Sequence, residues 1–270
     1  MNEPFILQND ILHLYEWEEK FPELTAAFSS RNGGTSSFPY HTNNLGLHVN
    51  DDENNVIKNR ELTGEKLGWH LSTWTAAEQI HEDQIVKVSS PLAGSGARSY
   101  EDTIKRTDAL YTSETNILLT LGFADCVPVY FLSKEKGLVG IAHAGWKGTV
   151  KNIAGKMVRL WQEMENIHPG TIHVAIGPSI SHCCYEVDDH VINSLEETLP
   201  DWKPYEKIEE GRYRLQLKEA NYRLLIEEGV PPDHIYVSSY CTSCSEDLFF
   251  SHRRDQGKTG RMMAIIGRNK

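Results

Sequence analysis

The sequence predicts an α+β fold built on mixed β-sheets. Apolar, β-prone segments recur along the whole chain, and predicted helices separate some of them but not all, so a strict β-α-β alternation is missing. The 270 residues contain no repeat, no low-complexity linker and no sharp change of composition. We therefore expect a single domain over residues 1–270, which is long enough to bury a substantial core without disulfides.

The predicted elements of the N-terminal half begin with a strand at residues 24–29, which leads into a turn at Asn32-Gly33-Gly34. Residues 53–67 are predicted to be a helix that ends before Gly68, because their apolar positions recur at helical spacing. Residues 73–88 are β-prone on both sides of His81. Further strands are predicted at residues 116–121 and 127–132, with Ala124-Asp125-Cys126 between them.

The C-terminal half begins with an apolar strand at residues 137–143 and a turn at Gly145-Trp146-Lys147-Gly148. A helix is predicted next, because five apolar residues share one helical face: Ile153, Met157, Leu160, Trp161 and Met164. Strands are predicted at residues 171–176, 235–240 and 261–266, and helices at residues 191–199 and 218–228.

The charge of the chain excludes some partners. Lysine and arginine number 27 against 38 aspartates and glutamates, which gives a net charge of −11. Such a surface repels nucleic acid and anionic lipid. No apolar run approaches the roughly 18 residues of a membrane span, and residues 1–10 lack a signal-peptide pattern. We expect no nucleic-acid partner, no membrane association and a cytoplasmic location.

Three residues in separate segments carry side chains that bind metal ions. His143 ends an apolar segment beside Ala144-Gly145, Cys126 precedes Val127-Pro128, and His81 lies in a third β-prone segment. Two imidazoles and one thiolate suit zinc, and three protein ligands leave a fourth position for water, as in catalytic zinc sites. The residues alone also allow two ordinary, partly buried histidines and a small core cysteine. A cysteine hydrolase with Cys126 as nucleophile and His143 as base is a further alternative.

The other four cysteines form a pair, Cys183-Cys184, and a Cys-x-x-Cys motif, Cys241 to Cys244. The total of five cysteines is odd and no export signal is visible, which favours reduced thiols. Four thiols suit a structural zinc site, although adjacent cysteines seldom both bind one metal comfortably. A redox role is the second alternative. We expect buried, unligated cysteines.

Basic residues cluster near the C-terminus, in Ser251-His252-Arg253-Arg254-Asp255 and at Lys258 and Arg261. Arginine offers a bidentate fork to oxyanions, so the cluster is a candidate phosphate pocket in an otherwise acidic protein. Solvated surface or salt bridges are the alternative, and the residues favour that alternative.

The same residues carry a resemblance to the bacterial laccase-domain family, long labelled multicopper polyphenol oxidase and now understood as purine nucleoside phosphorylases with adenosine deaminase activity. The resemblance runs over nearly the whole chain in five collinear blocks, with an N-terminal block besides. The five are Ala124-Asp125-Cys126-Val127-Pro128, His143-Ala144-Gly145-Trp146-Lys147-Gly148-Thr149, Ile176-Gly177-Pro178-Ser179-Ile180, Cys183-Cys184-Tyr185-Glu186-Val187 and the tail from Cys241-Thr242 to Arg261; the N-terminal block is Asn44-Leu45-Gly46-Leu47-His48 with Asn59-Arg60.

The resemblance implies a four-layer α/β/β/α fold and a zinc ion bound by His81, Cys126 and His143. It implies phosphorolysis of adenosine, inosine and S-methyl-5′-thioadenosine, and deamination of adenosine to inosine. Purine nucleosides and phosphate are then the partners. Substrate-binding residues are predicted at Asn44, Arg60 and Lys147, the last two for phosphate.

A general acid/base is also needed, and Asp125 and Glu186 are its candidates. The chain departs from the family pattern at Phe123, Lys147, Ser181-His182 and His252, none of which is a predicted metal ligand.

A copper-dependent polyphenol oxidase is the alternative function, and a module that binds nucleosides without turnover is another. Copper competes well with zinc for nitrogen and sulfur ligands, so it is the alternative metal. Multicopper clusters, however, need many histidines, typically in His-x-His pairs, and the 12 histidines of this chain form none.

Overall fold

The computed structural model describes residues 3–270. It contains six α-helices and fifteen strands in this part of the chain. The helices are α1 (Tyr15–Lys20), α2 (Glu53–Leu67), α3 (Trp146–Val150), α4 (Ile153–Glu165), α5 (Asp189–Thr198) and α6 (Leu217–Glu227). The strands are β1 (Phe5–Gln8), β2 (Ile11–Leu14), β3 (Leu24–Ser29), β4 (Trp74–Ala76), β5 (Ile85–Lys87), β6 (Ala109–Thr112), β7 (Leu118–Phe123), β8 (Val127–Ser133), β9 (Leu138–Ala144), β10 (His173–Ile176), β11 (Glu186–Val187), β12 (Tyr205–Glu209), β13 (Arg212–Leu215), β14 (Ile235–Val237) and β15 (Met262–Arg268).

The strands form two six-stranded mixed sheets and one small sheet. The first large sheet has the order β1-β2-β3-β15-β7-β4, and the second has the order β14-β10-β8-β9-β6-β5. Most neighbours are antiparallel, but β4 pairs with β7, β5 with β6 and β10 with β14 in parallel. The third sheet joins β11, β13 and β12. The predicted mixed-sheet α+β class is confirmed.

The two large sheets pack face to face, and helices cover their outer faces. Buried side chains of both sheets, such as Phe28 and Leu121 on one and Tyr130 and Ile141 on the other, share one core. The outer face of the second sheet packs against α4, α5 and α6 around Trp161. The outer face of the first sheet packs beneath α2 around Trp74. These layers are the four-layer α/β/β/α arrangement expected from the family resemblance.

Several predicted elements have the expected bounds. The strand at residues 24–29 and the helix at residues 53–67 match β3 and α2. The helix α2 begins where the Asp52 side chain accepts a hydrogen bond from the Asn54 N–H, and ends at Gly68, which has φ of 72°. The helix α4 was also predicted, but Met164, which was expected on its apolar face, is 73% exposed at the last turn.

The continuous β-prone segment predicted at residues 73–88 is wrong. Only β4 and β5 are strands there, and His81 lies in the loop between them with φ of 61°. This loop is held by side-chain rather than strand hydrogen bonds, and β propensity does not detect such contacts.

The four-residue strand β6 was missed, as were β1, β2 and the small third sheet. Their short lengths give too little periodicity to separate them from loops. Within residues 3–270, no helix combines the length and the apolar character that a membrane crossing needs.

Candidate active site

A cavity of about 360 Å³ opens where the predicted metal ligands meet. Its volume lies in the range of about 300–1,000 Å³ that is typical of small-molecule sites. Its walls combine imidazoles, guanidinium groups, a carboxylate and aromatic rings. The lining residues are His48, Gln79, His81, Gly122, Ala124, Asp125, Cys126, His143, Trp146, Ile180, Tyr185, His252, Arg253 and Arg261.

The three predicted ligands reach the cavity from three different elements. His143 is the penultimate residue of β9, Cys126 immediately precedes β8, and His81 lies in the loop between β4 and β5. The antiparallel pairing of β8 with β9 explains the closeness of the first two, because Val127 lies opposite Ala144. One ligand atom from each of the three side chains lies within 4.8 Å of the other two.

Asp108 supports the His81–Cys126–His143 centre, and it was not predicted from the sequence. Its Oδ1 lies 2.9 Å from Nδ1 of His143, and its two carboxylate oxygens also accept hydrogen bonds from the N–H groups of Ile80, His81 and Glu82 at 2.9–3.1 Å. A carboxylate on one ring nitrogen leaves the other, Nε2, directed to a ligand, the arrangement common around metal-binding histidines. One buried carboxylate thus orients His143 and fixes the loop of His81.

The electrostatics of the centre favour a thiolate. Partial burial alone would raise the pKa of Cys126, but the imidazoles of His143 and His81 lower it to about 6. Burial alone would lower the pKa of His143, but the Cys126 thiolate and the Asp108 carboxylate raise it to about 9. Since thiolate is the form of cysteine that binds metals, the thiol is prepared for coordination near neutral pH.

The absence of a side chain at Gly145 permits this close approach. A Cβ atom at Gly145 would lie 3.0 Å from Sγ of Cys126 and 3.5 Å from Cδ2 of His81. Its φ of −65° is open to any residue, so space rather than backbone conformation requires glycine here.

The donor set fits a zinc ion. Zinc–nitrogen bonds of about 2.0–2.1 Å and zinc–sulfur bonds of about 2.3 Å place tetrahedral ligand atoms roughly 3.3–3.8 Å apart. The ligand atoms of His81, Cys126 and His143 lie within 4.8 Å of one another, which is close enough for these side chains to hold one zinc ion. Three protein ligands would leave a fourth zinc position for water or substrate.

Asp125, a candidate acid/base, lines the cavity but is held by three donors. Its Oδ1 accepts a hydrogen bond from the Thr242 hydroxyl at 2.7 Å, and its Oδ2 accepts from the Ser251 hydroxyl at 3.1 Å and the Arg253 N–H at 2.7 Å. Its φ of 91° is uncommon for a residue other than glycine. Asp125 therefore anchors the basic C-terminal segment to the turn that carries Cys126.

Two arginines of that segment line the cavity, where surface salt bridges were favoured from the sequence. Arg253 donates from Nη1 to the Glu186 carbonyl at 2.7 Å, and its guanidinium lies 5.1 Å from the ring centre of Tyr185. Arg261 donates from Nη1 to the carbonyls of Thr259 and Gly260 at 2.9 and 3.0 Å. Each guanidinium keeps further donors for a bound anion.

Asn44 and Arg60, predicted to bind substrate, do not line the cavity. The Asn44 side chain accepts from the N–H groups of Gly46 and Arg261 at 3.0 and 2.8 Å. Arg60 is 3% exposed and donates to the carbonyls of Leu45, Gly96 and Ala97 at 2.6–2.8 Å, and burial lowers its pKa to about 9. Both side chains shape the loops behind the cavity.

Lys147 and Glu186 also lie away from the cavity. Lys147 is exposed, with its ammonium 5.7 Å from the ring centre of Trp146. Glu186 forms an ion pair with Arg212 on the small third sheet. The predictions of Lys147 as a phosphate ligand and of Glu186 as acid/base are not supported by these positions, because neither residue lines the cavity.

His48, Gln79 and Tyr185 line the cavity and were not singled out from the sequence as site residues, whereas His252, which also lines it, stood in the predicted basic cluster. Gln79 is fixed by two hydrogen bonds to the backbone of Gly122, at 2.7 and 2.9 Å. Desolvation within the cavity, with the guanidinium of Arg261, lowers the pKa of His48 and keeps it neutral at pH 7. His48, Tyr185 and His252 belonged to blocks of the family resemblance, whereas Gln79 did not.

The remaining cysteines form a second cluster. The thiols of Cys183, Cys184, Cys241 and Cys244 lie within 4.8 Å of one another. The expectation of buried cysteines is wrong for most of them, since Cys183 and Cys244 are exposed and only Cys241 is buried. The cluster lies beside the cavity, because Ile180 and Tyr185, which flank the Cys183-Cys184 pair in the sequence, both line the cavity.

A comparison of the sequence with known protein families identifies the family of this chain. A family model described as multi-copper polyphenol oxidoreductase laccase matches residues 25–269. The chain belongs to this family. The family resemblance identified from the sequence blocks is thereby confirmed.

Relatives of this laccase-family chain carry a different name. It is 50% identical over 252 residues to the purine nucleoside phosphorylase YlmD of Geobacillus stearothermophilus, covering 93% of this chain and 92% of that protein. It is 44% identical over 270 residues to the purine nucleoside phosphorylase YlmD of Bacillus subtilis, covering 98% and 97%. The crystal structure of YlmD from Geobacillus stearothermophilus superposes with a TM-score of 0.96 at 47% identity, covering 100% of both chains.

Proposed function

We propose that this protein is a metal-dependent purine nucleoside phosphorylase that also deaminates adenosine. The observation that carries the proposal is the cavity, which joins a three-ligand His-Cys-His centre to two arginines and an aromatic wall. The names of the relatives YlmD of Geobacillus stearothermophilus and Bacillus subtilis support nucleosides and phosphate as substrates.

The proposed metal is a single zinc held by His81, Cys126 and His143, with Asp108 orienting His143. Two imidazoles and a thiolate are a zinc donor set, and the open fourth position is typical of catalytic rather than structural sites. When bound, zinc supplies Lewis acidity and lowers the pKa of water. The residues of the chain supply the remaining functions of binding, orientation and proton transfer.

The proposed substrate positions follow from the chemistry of the walls. Arg253 and Arg261 hold the phosphate, because guanidinium donors match phosphate oxygens. The purine lies against Tyr185 and Trp146, whose half-buried rings face the cavity. Their apolar faces suit a flat heterocycle. His48, neutral near pH 7, offers a hydrogen bond without adding charge.

In phosphorolysis, a phosphate oxygen attacks the anomeric carbon of the ribose, and the bond from that carbon to the purine nitrogen breaks. The electron pair of this bond moves to the purine, which takes up a proton. We assign the proton donor to His252, an imidazole at the cavity wall, because Asp125 is held as an acceptor by three donors and Glu186 lies outside. The Asp125 carboxylate accepts a hydrogen bond from the backbone N–H of Arg253 and so positions Arg253.

In deamination, water adds to C6 of adenine and ammonia leaves, so no phosphate is consumed. The same cavity wall binds the purine in both reactions, whereas only phosphorolysis needs Arg253 and Arg261 as an anion site. The two activities are therefore separable by substitution.

The test is to incubate the purified protein with adenosine, with and without phosphate, and to separate the products. We expect inosine without phosphate, and free base with ribose 1-phosphate when phosphate is present. Inosine and S-methyl-5′-thioadenosine are expected to be phosphorolysed as well. Conversion of none of these nucleosides, together with rapid oxidation of a phenolic dye precursor, would favour the copper oxidase.

Two substitutions sharpen this test. Arg261→Gln should lower phosphate-dependent cleavage more than tenfold while deamination changes little, because a neutral amide replaces a guanidinium at the proposed anion site. Lys147→Gln is the matched control, since Lys147 is an exposed cation outside the cavity and should leave both rates unchanged. Equal loss of both activities in Arg261→Gln would remove Arg261 from the phosphate site.

A cysteine hydrolase is the second candidate, and one observation favours it. Cys126, His143 and Asp108 are linked in the order nucleophile, base and orienting carboxylate. Such an enzyme keeps its activity after chelation and loses it on alkylation of Cys126. The metal-dependent enzyme instead loses activity on chelation and regains it with zinc.

A further inference from the structure

The four cysteines away from the active site lie on two turns that face each other. Residues 182–184 form one turn, which carries Cys183 and Cys184, and the other runs from Cys241 to Cys244. Sγ of Cys244 lies 3.5 Å from Sγ of Cys183 and 3.4 Å from Sγ of Cys184. All four sulfur atoms lie within 4.8 Å of one another.

We propose that Cys183, Cys184, Cys241 and Cys244 bind a structural zinc ion, separate from the active-site metal. A tetrahedral ion with zinc–sulfur bonds of about 2.3 Å separates its sulfur ligands by roughly 3.8 Å. The two separations from Cys244, 3.4 and 3.5 Å, are close to this value and all four sulfur atoms lie within 4.8 Å, whereas a disulfide needs about 2.05 Å. Soft thiolates favour zinc over hard ions such as magnesium and calcium.

The backbone around the cluster holds the thiols together without a metal. The Cys184 and Tyr185 N–H groups both donate to the Ser181 carbonyl at 3.0 Å, which tightens the first turn. A β-bridge joins Ser179 to Cys241, and the Thr242 N–H donates to the Ser179 carbonyl at 3.1 Å. This framework removes the objection to adjacent cysteine ligands, because the turn brings both sulfur atoms of the pair toward the opposite motif.

The surroundings also suit a negatively charged thiolate cluster. The Ser181 N–H donates to Sγ of Cys241 at 3.4 Å, and such bonds stabilise metal-bound sulfur. The ammonium of Lys218 is fixed nearby by the carbonyls of Ser238 and Tyr240, each at 2.8 Å. Four thiolates around a divalent ion carry a net charge of about −2, which this cation partly offsets.

The proposed ion takes all four of its ligands from the protein, and it supports the cavity wall. Each thiol releases its proton on binding, so the site takes up zinc with loss of up to four protons. Exposed Cys183 and Cys244 give the ion an access route from solvent. Tyr185 follows Cys184, and Thr242 follows Cys241 and bonds to Asp125, so both turns continue into the active site.

The test uses cobalt as a spectroscopic substitute for zinc in the full-length Cys126→Ser protein, which lacks the thiolate of the active site. After metal removal under reducing conditions, one cobalt ion per chain should bind with strong thiolate-to-cobalt charge-transfer absorption, and zinc should abolish that absorption. Adding Cys241→Ser and Cys244→Ser should remove the absorption. Adding Ser243→Ala, in the same turn but without a thiol, should leave it unchanged. Folded Cys126→Ser protein without the absorption would overturn the proposal.

A second measurement uses the natural sequence and does not depend on any variant. Zinc should protect Cys183 and Cys244 from alkylation although both are exposed, and a chelator should restore their labelling, as read by peptide mass mapping. Unchanged labelling rates with and without zinc would contradict the site. A disulfide between the two turns in zinc-loaded protein prepared without reductant would contradict it as well and would show a redox pair instead.

Discussion

The two sulfur-containing clusters of this protein differ in the elements that carry their side chains and in whether they line the cavity. The His81–Cys126–His143 centre takes its ligands from three separate elements and faces a cavity of about 360 Å³. The four-thiol cluster takes its ligands from two adjacent turns, and none of its cysteines lines that cavity. Three ligands leave a position for chemistry, whereas four close the coordination shell. The His81–Cys126–His143 centre is therefore the proposed reaction centre, and the four-thiol cluster is the proposed structural support.

The largest difference should appear when one cysteine is removed from each cluster. Cys126→Ser replaces the thiolate ligand with a neutral hydroxyl, so the active-site metal should be lost. Nucleoside conversion should then fall by more than the roughly 10–100-fold that follows loss of an outer-shell partner. Metal analysis and product formation measure both effects. Full metal content with retained deaminase activity in Cys126→Ser would remove Cys126 from the ligand set.

Replacement of the supporting carboxylate should have a smaller effect. Asp108→Asn keeps the shape but removes the charge that faces His143 and the N–H groups of Ile80 and Glu82. We expect roughly 10–100-fold weaker metal affinity or activity. Asp83→Asn is the control, because Asp83 pairs with Lys156 and lies outside the cavity lining. Equal effects of the two substitutions would show that Asp108 does not act through His143.

The thiolate character of Cys126 predicts a pH dependence in the metal-free protein. Its pKa is lowered to about 6, so the thiolate fraction, and with it the rate of alkylation, should rise through pH 6 and level off above it. His143→Gln removes the neighbouring imidazole and should move the half-maximal pH upward. Peptide mapping distinguishes Cys126 from the other four thiols. A half-maximal rate near pH 9 in the natural sequence would show that the imidazoles do not stabilise the thiolate.

The smallest change in activity is expected at the four-thiol cluster. Cys244→Ser should leave the active-site metal in place and change the rate at saturating substrate little, because Cys244 does not line the cavity. Loss of a ligand should lower the thermal stability of the zinc-loaded protein, whereas the metal-free protein should change little, because Cys244 is exposed. Thermal unfolding with and without zinc measures this effect. A fall in nucleoside conversion from Cys244→Ser equal to that from Cys126→Ser would contradict the separation of the two sites.

Much of the fold could be predicted because its elements are long or clearly capped. The helix α2 shows apolar spacing, a capping Asp52 and a terminal Gly68, and β3 is a compact apolar run. The loop of His81 could not be predicted, because its conformation depends on hydrogen bonds to Asp108, which lies 27 residues away from His81. Short strands such as β6 give too little pattern to be recognised alone.

The same limit explains which site residues were missed. The ligands His81, Cys126 and His143 could be proposed because imidazole and thiolate are recognisable metal donors in any sequence. Asp108 resembles any surface aspartate until the pairing of β6 with β9 places it beside His143. Arg60 and Lys147 carry the positive charge that a phosphate site needs. Only the packed structure shows that Arg60 donates hydrogen bonds to three carbonyls and that Lys147 is exposed to solvent. Charge alone did not identify the anion site.

A zinc titration of activity tests the central claim most directly. The protein with Cys241→Ser and Cys244→Ser, which keeps only the His81–Cys126–His143 centre, is stripped of metal and assayed for phosphorolysis of inosine as zinc is added. The account predicts no activity without metal and a linear rise that stops at one zinc ion per chain. Full activity of the metal-free protein, or no recovery with zinc in a folded chain, would contradict it.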